Sequence, residues 1–189
     1  MKIHRYQRPG KGFTLVELLV VISIIIVLAA MSFGVISHVI KKEKMLTTLN
    51  HVKNLSDALE QYNQSYGHLP TIGSQEDLTG DGEAGTKLLT ILLGKEDPSS
   101  DMQNPKGIVF LTTGFSTNKR LGGFVYSGNK LEGAFDAWGR PLNIRFDADF
   151  DQEIPDPIRQ GDTVRQKNVI VWSFGADGKF GDNDEVKSW

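Results

Sequence analysis

Cysteine is absent from the 189 residues. That excludes disulfides, thiolate metal sites and lipid-modified cysteines. An exported body of this chain must hold its loops by other means. Histidine is scarce, limited to His4, His38, His51 and His68. No Cys–His pair exists, and no Gly-x-x-x-x-Gly-Lys phosphate loop. No Ser–His–Asp set can be named without free choice among many serines. The chain is therefore not expected to be an enzyme. Proline is missing from Leu15 to Leu69, and Gly34 is the sole glycine from Leu15 to Tyr66. Nothing in that stretch stops a helix, although Gly34 costs about 1 kcal/mol against Ala.

Basic charge is also lacking where a nucleic-acid binder needs it. The net charge is −2. The first twelve residues carry Lys2, Arg5, Arg8 and Lys11 with no acid, so the remainder stands at −6. An acidic body argues against a nucleic-acid partner. Four basic residues before an apolar run hold the N-terminus on the cytoplasmic side by the positive-inside rule. Lys41, Lys42 and Lys44 blur that signal but lie beyond the run.

The apolar run extends from Phe13 to Phe33, which is 21 residues. At about 1.5 Å per residue it covers about 31 Å, the hydrocarbon thickness of a bilayer. Glu17 interrupts it five residues in. A charged side chain costs roughly 2.5–3.5 kcal/mol at the centre of a membrane helix and less near the interface. A chain that keeps such a group is expected to have a partner for it. The competing reading is a cleaved secretory signal with a cut near Val27-Leu28-Ala29. Glu17 counts against it, because export signals rarely hold a carboxylate.

Beyond the run, Leu46, Leu49, Val52, Leu55, Leu59, Tyr62 and Tyr66 recur at steps of three or four. That is one face of an α-helix, with Lys53, Asn54, Asp57, Glu60 and Gln61 opposite. The pattern predicts a single helix from about 14 to 66, apolar all round in its first half and amphipathic in its second. Tyr66-Gly67-His68-Leu69-Pro70 is the stop, with Gly as the C-terminal cap. The plain alternative is a single-span membrane anchor.

Lys11-Gly12-Phe13-Thr14-Leu15-Val16-Glu17 resembles the processing site of type IV prepilins and type II secretion pseudopilins. The resemblance implies cleavage after Gly12 by a prepilin peptidase and N-methyltransferase, with methylated Phe13 as the new N-terminus. It also implies that Glu17 pairs with the terminal amine of a neighbouring subunit, an ion pair that sets axial register in a low-dielectric bundle. Many relatives have proline where this chain has Gly34. The implied domains are a cleaved leader at 1–12, a transmembrane and assembly half at 13–34, an amphipathic half at 35–66, and a periplasmic head at 67–189.

The likeness continues past the leader. Ala58-Leu59-x-x-Tyr62 with Tyr66-Gly67-x-Leu69-Pro70-Thr71 looks like the helix-to-loop junction of the major pseudopilins. Asp136-Ala137-Trp138-Gly139-Arg140-Pro141 resembles their Asp-x-Trp-Gly-x-Pro turn. Trp172-Ser173-Phe174-Gly175-Ala176-Asp177-Gly178 resembles the start of their C-terminal calcium loop. Residues 72–135 match less well. The fold implied is α+β and pilin-like, a long N-terminal helix with a small antiparallel sheet.

The residues alone suggest the same head. Asn143–Phe146 and Val169–Trp172 read as strands, while 108–111 and 124–126 are weaker candidates. Ser127-Gly128-Asn129-Lys130 is a hairpin turn. Thr86 to Leu93 is a short helix or a packed apolar loop, and Trp138 reads as a core anchor.

Three acidic clusters could hold a metal. In the last, Gly175, Gly178 and Gly181 let the backbone curl, and Asp177 and Asp184 are far enough apart to close a calcium loop. The resemblance makes Asp177 and Asp184 side-chain ligands and Phe174 a carbonyl ligand of a structural calcium, with Asp182 and Glu185 as additional candidates. In the second cluster, Asp147, Asp149, Asp151, Glu153 and Asp156 alternate like the start of such a loop. Gln152 stands where its turn needs glycine, however, and Ile158 where a bidentate Glu belongs, so a solvated connector is expected. In the third, Asp77 to Glu83, Leu88 stands where the closing acid belongs.

The resemblance implies a structural pseudopilin subunit, not an enzyme. It polymerises through its N-terminal helix into a homo-oligomeric helical filament, alongside minor pseudopilins and an inner-membrane assembly platform. Its place is the bacterial inner membrane, single-pass, with the head in the periplasm. The alternative within the class is a type IV pilus or competence pilin. The alternative outside it is a membrane-anchored calcium-binding domain that never polymerises.

Overall fold

The structure is a computed structural model describing residues 12–73, 77–98, 101–181 and 183–189, with the backbone alone at 32–36. The leader before Gly12 lies outside the described residues. The chain divides into two compact units, Met1–Ile40 and Lys41–Trp189.

Helix α1 (Leu15–Tyr66) is 52 residues long and belongs to both units. It forms because the aliphatic run and the amphipathic stretch share the helical period without an intervening proline. It stops at Gly67, whose φ of 78° is the left-handed cap conformation; Gly67 N–H donates to the Asn63 carbonyl at 2.7 Å. In the first unit the described side chains of α1 from Leu15 to Met31 are all exposed. Its continuation in the second unit buries Thr48, Val52, Leu55, Ala58, Leu59 and Tyr62. Leu46 is an exception to the predicted stripe, at 54% exposed.

The head contains β1 (Asp77–Thr79), α2 (Gly82–Leu92), β2 (Phe115–Ser116), β3 (Gly123–Ser127), β4 (Lys130–Phe135), β5 (Asn143–Phe146), β6 (Glu153–Pro155), β7 (Thr163–Arg165), β8 (Val169–Ser173) and β9 (Val186–Lys187). One sheet has the order β1-β5-β8-β9, a second β2-β3-β4, and a third is the β6–β7 pair. All pairings are antiparallel except β2 with β3. The fold is α+β, as the residue patterns imply. The predicted turn joins β3 to β4, with Ser127 opposite Lys130 and Gly128 at φ 61°.

Strand β8 organises the core. All five of its residues are buried. Side chains alternate across a strand, so Val169 and Val171 enter the main core with Leu55, Leu59, Leu88 and Leu92. Ile170 and Trp172 face a second, smaller core with Ile154 and Val164. Tyr62 is fully buried and donates to the Gln103 carbonyl at 2.7 Å. Burial, and then the neighbouring Glu96 charge, push its hydroxyl pKa up to about 12.

Two local expectations are corrected. Residues 108–111 form no strand; they lie over α2, with Phe110 N–H on the Leu92 carbonyl at 2.8 Å. Buried Asn104 fixes this segment. Its amide donates to the carbonyls of Ile91 and Ile108, and its oxygen accepts from Ile108 N–H. Side-chain bonds of this kind replace a ladder, and no hydrophobic period announces them. Trp138 is half-buried and belongs to neither core cluster, so it is not the core anchor.

Candidate assembly and metal sites

The first site is the start of α1. Thr14 precedes the first helical residue, and Glu17 stands three further on. Thr14 N–H donates to Glu17 Oε2 at 2.9 Å, and Thr14 Oγ1 donates to the same oxygen at 2.7 Å. In return Glu17 N–H donates to Thr14 Oγ1 at 3.2 Å. This is a reciprocal capping box. The carboxylate that demanded a partner has one within its own chain. Sequence reasoning missed this, although Thr14-x-x-Glu17 ahead of an apolar run is its signature. Both residues would survive a cut after Gly12.

Below the cap the helix offers apolar surface on every side. Val20 is 47% exposed, Ile25 58% and Met31 71%. Among the described residues no helix is long and apolar enough to cross a membrane.

The second site is the Asp-x-Trp-Gly turn with the C-terminal loop. Asp136 is the anchor here. It is fully buried, and its Oδ1 accepts from the N–H groups of Trp138 and Arg140, both at 2.9 Å. Its Oδ2 accepts from Ser173 Oγ at 2.7 Å, and Ser173 Oγ accepts from Gly175 N–H at 3.1 Å. Ala137 N–H donates to Thr48 Oγ1 on α1 at 3.0 Å. One buried carboxylate thus ties the turn, β8 and the loop after it together. Arg140 adds a second tie, donating to the carbonyls of Gly175 at 2.5 Å and Ala176 at 3.0 Å.

Within that loop Gly175, Gly178 and Gly181 all have positive φ, the curl expected of them. Gly175 also admits the acid closely, since a Cβ there would lie 2.1 Å from Asp184 Oδ1. Asp184 is 5% exposed, accepts from Ala176 N–H at 2.9 Å, and has Lys41 Nζ at 3.5 Å. Asp177 is spent on Lys179 N–H at 2.7 Å, and Glu185 accepts from Gly181 N–H. Phe174 packs on Trp172, and Asp182 lies outside the described residues. The buried Asp184 and the curled backbone fit a cation. Among the described residues, however, Asp177, Asp184 and Glu185 do not form a three-carboxylate cluster.

The described residues do form one such cluster elsewhere. Ligand atoms of Asp147, Asp149 and Asp151 lie within 4.8 Å of one another. The expectation of a solvated connector is corrected at Asp147, which is 4% exposed. The objection to Gln152 also falls, because Gln152 takes φ 64° without being glycine. Of the third cluster, Asp77 sits on β1 and grips Arg145 through two hydrogen bonds, at 2.5 and 2.7 Å. Asp81 precedes α2.

The model of the prokaryotic N-terminal methylation motif matches residues 8–33, which include Gly12, Phe13 and Glu17. No curated protein and no solved structure matches the chain. At its N-terminus, then, the chain carries the processing and methylation motif of type IV pilin-like proteins.

Proposed function

We propose that this protein is the structural subunit of a type II secretion pseudopilus. The leader is removed after Gly12, Phe13 is methylated, and the mature helix anchors the subunit in the inner membrane until it polymerises. The observation that carries the reading is the methylation motif over residues 8–33, set on a helix start that is apolar all round. A helix that is apolar all round needs lipid or copies of itself to cover it. In the filament Glu17 exchanges its Thr14 bonds for the Phe13 amine of a neighbour, which fixes register. Mass spectrometry of the mature chain tests processing: methyl-Phe13 is expected, and an N-terminus at Met1 or Ala30 would sink the proposal.

The secretion branch is favoured over a surface pilus by the Asp136 turn and the loop it fastens. In this reading the C-terminal loop takes a structural calcium, which Asp177, Asp184 and the Phe174 carbonyl would hold. Asp177→Ala with Asp184→Ala should lower the melting temperature more in calcium than in chelator, where the Asp184 bonds to Ala176 and Lys41 are lost as well. An equal effect in both media would remove calcium from this loop.

A further inference from the structure

The connection from β5 to β6 carries a cation-binding geometry that the pseudopilin reading does not use. Asp147 directly follows β5, held by its own N–H on the Asn168 carbonyl at 2.9 Å. Its carboxylate is buried, and Oδ2 accepts from Gln152 N–H at 2.9 Å. Oδ1 is buried with no hydrogen-bond partner. A buried carboxylate oxygen is costly to leave unmatched, and structures rarely do so without an ion or water to meet it. Oxygens of exposed Asp149 and Asp151 stand within 4.8 Å of Asp147, on the same cleft.

The cleft has a volume of about 510 Å³, and Glu153 adds a fourth carboxylate to its wall. Arg145 is the cation lining it among the described residues, and its guanidinium is engaged by Asp77 and the Pro155 carbonyl. Three converging carboxylates repel one another, and a cation between them would relieve that repulsion. The backbone has already curled to bring them together, with Phe150 at φ 61° and Gln152 at φ 64°.

We infer that Asp147, Asp149 and Asp151 bind a divalent cation of the calcium type, distinct from any cation in the C-terminal loop. Oxygen-only donors on an irregular loop suit calcium better than a metal demanding nitrogen or sulfur. Asp147 is the fixed ligand, placed by the sheet, and the two exposed acids close over the ion. The cation fastens the β5–β6 connection to the end of β5 in a chain that has no disulfide.

Equilibrium dialysis of the full chain in detergent micelles, with calcium at about 5 mM, counts the ions bound; extracellular calcium modules bind at roughly 10⁻⁴–10⁻³ M. Asp149→Asn with Asp151→Asn should remove one equivalent. Both side chains are exposed, so the fold survives, and circular dichroism in chelator should match the parent. The same loss of one equivalent is expected when Asp177 and Asp184 are already alanine, which separates this site from the C-terminal loop. An unchanged count in either background, or no calcium bound by the parent chain, would overturn the inference.

Discussion

From Leu15 to Met31 the side chains of α1 are exposed, Leu15 at 79% and Ile25 at 58%; further along the same helix Val52, Leu55, Leu59 and Tyr62 stand at 0%. Local helix propensity does not distinguish the two stretches. The distribution of apolar residues around the axis does. The later stretch is apolar on one face, which a single small head can cover. The earlier one is apolar on all faces, and covering it takes a solvent of lipid or several neighbouring helices. The two stretches therefore draw their stability from different sources, and substitutions should separate them.

The sharpest contrast comes from equal truncations in the two stretches. Leu59→Ala opens a cavity in the main core and should cost about 2–5 kcal/mol of head stability. Ile25→Ala should change it by less than about 0.5 kcal/mol. Trp138, Trp172 and Trp189 all lie in the head, so denaturant unfolding followed by tryptophan fluorescence reads the head alone. Equal losses from both substitutions would show that the two stretches are energetically continuous.

The next effect tests how the head holds its own part of α1. Asp136→Ala strands the N–H groups of Trp138 and Arg140 and the Ser173 hydroxyl. Hydrogen bonds to a charged group contribute roughly 1.5–3 kcal/mol, and the three are not additive, so a loss of about 3 kcal/mol is expected. Asp136→Asn should recover part of it, since an amide oxygen still accepts from the two N–H groups. The same denaturant melt measures both variants.

Thr14 and Glu17 allow a finer cut on the exposed side. As a capping box they contribute about 1 kcal/mol to the first turn. If capping is the whole role of Glu17, Thr14→Ala and Glu17→Ala should reduce filament yield alike. The proposed register pair instead requires Glu17→Ala to abolish filaments while Thr14→Ala retains most of them. Electron microscopy of sheared fractions would count them.

Much of this contrast was legible in the sequence, because periodicity is a property of many residues at once. The span of α1, its stop at Gly67, strands β5 and β8 and the β3–β4 hairpin all follow from repeated apolar spacing and turn chemistry. Single polar contacts were less legible. Asp136 looks like any aspartate in a turn until Ser173, 37 positions away, is found against it. Asn104 and Arg140 organise loops through backbone carbonyls that no pattern marks. The Asp147 cluster was set aside for want of a glycine at 152 and of a closing Glu at 158; Ile158 still stands at the second place, but Gln152 adopts the glycine-like conformation. The Thr14–Glu17 cap was written in the sequence and was overshadowed by the cost of charge in a membrane.

The smallest expected effect lies where α1 passes beneath the Gly114 and Gly123 loops. A Cβ on Gly114 would stand 3.1 Å from His51 Nδ1, and one on Gly123 would stand 3.0 Å from His51 Cε1, so the Nδ1–Cε1 edge of the ring is closely covered. Its Nδ1 is buried without a hydrogen-bond partner. Burial pushes the His51 pKa below the usual 6.5, and a backbone hydrogen bond with Leu121 opposes the shift. The unfolded chain therefore takes up a proton at a higher pH than the folded one. Stability is full above about pH 6.5 and falls as pH drops from there through the folded pKa. His51→Gln should flatten that fall. Because the ring is only half covered, the difference should be on the order of 1–2 °C in melting temperature between pH 7.5 and 5.5. A parent chain and a His51→Gln variant with parallel melting curves across that range would show that burial does not disfavour the charged His51 ring. The contrast between the two stretches would then rest on apolar burial alone.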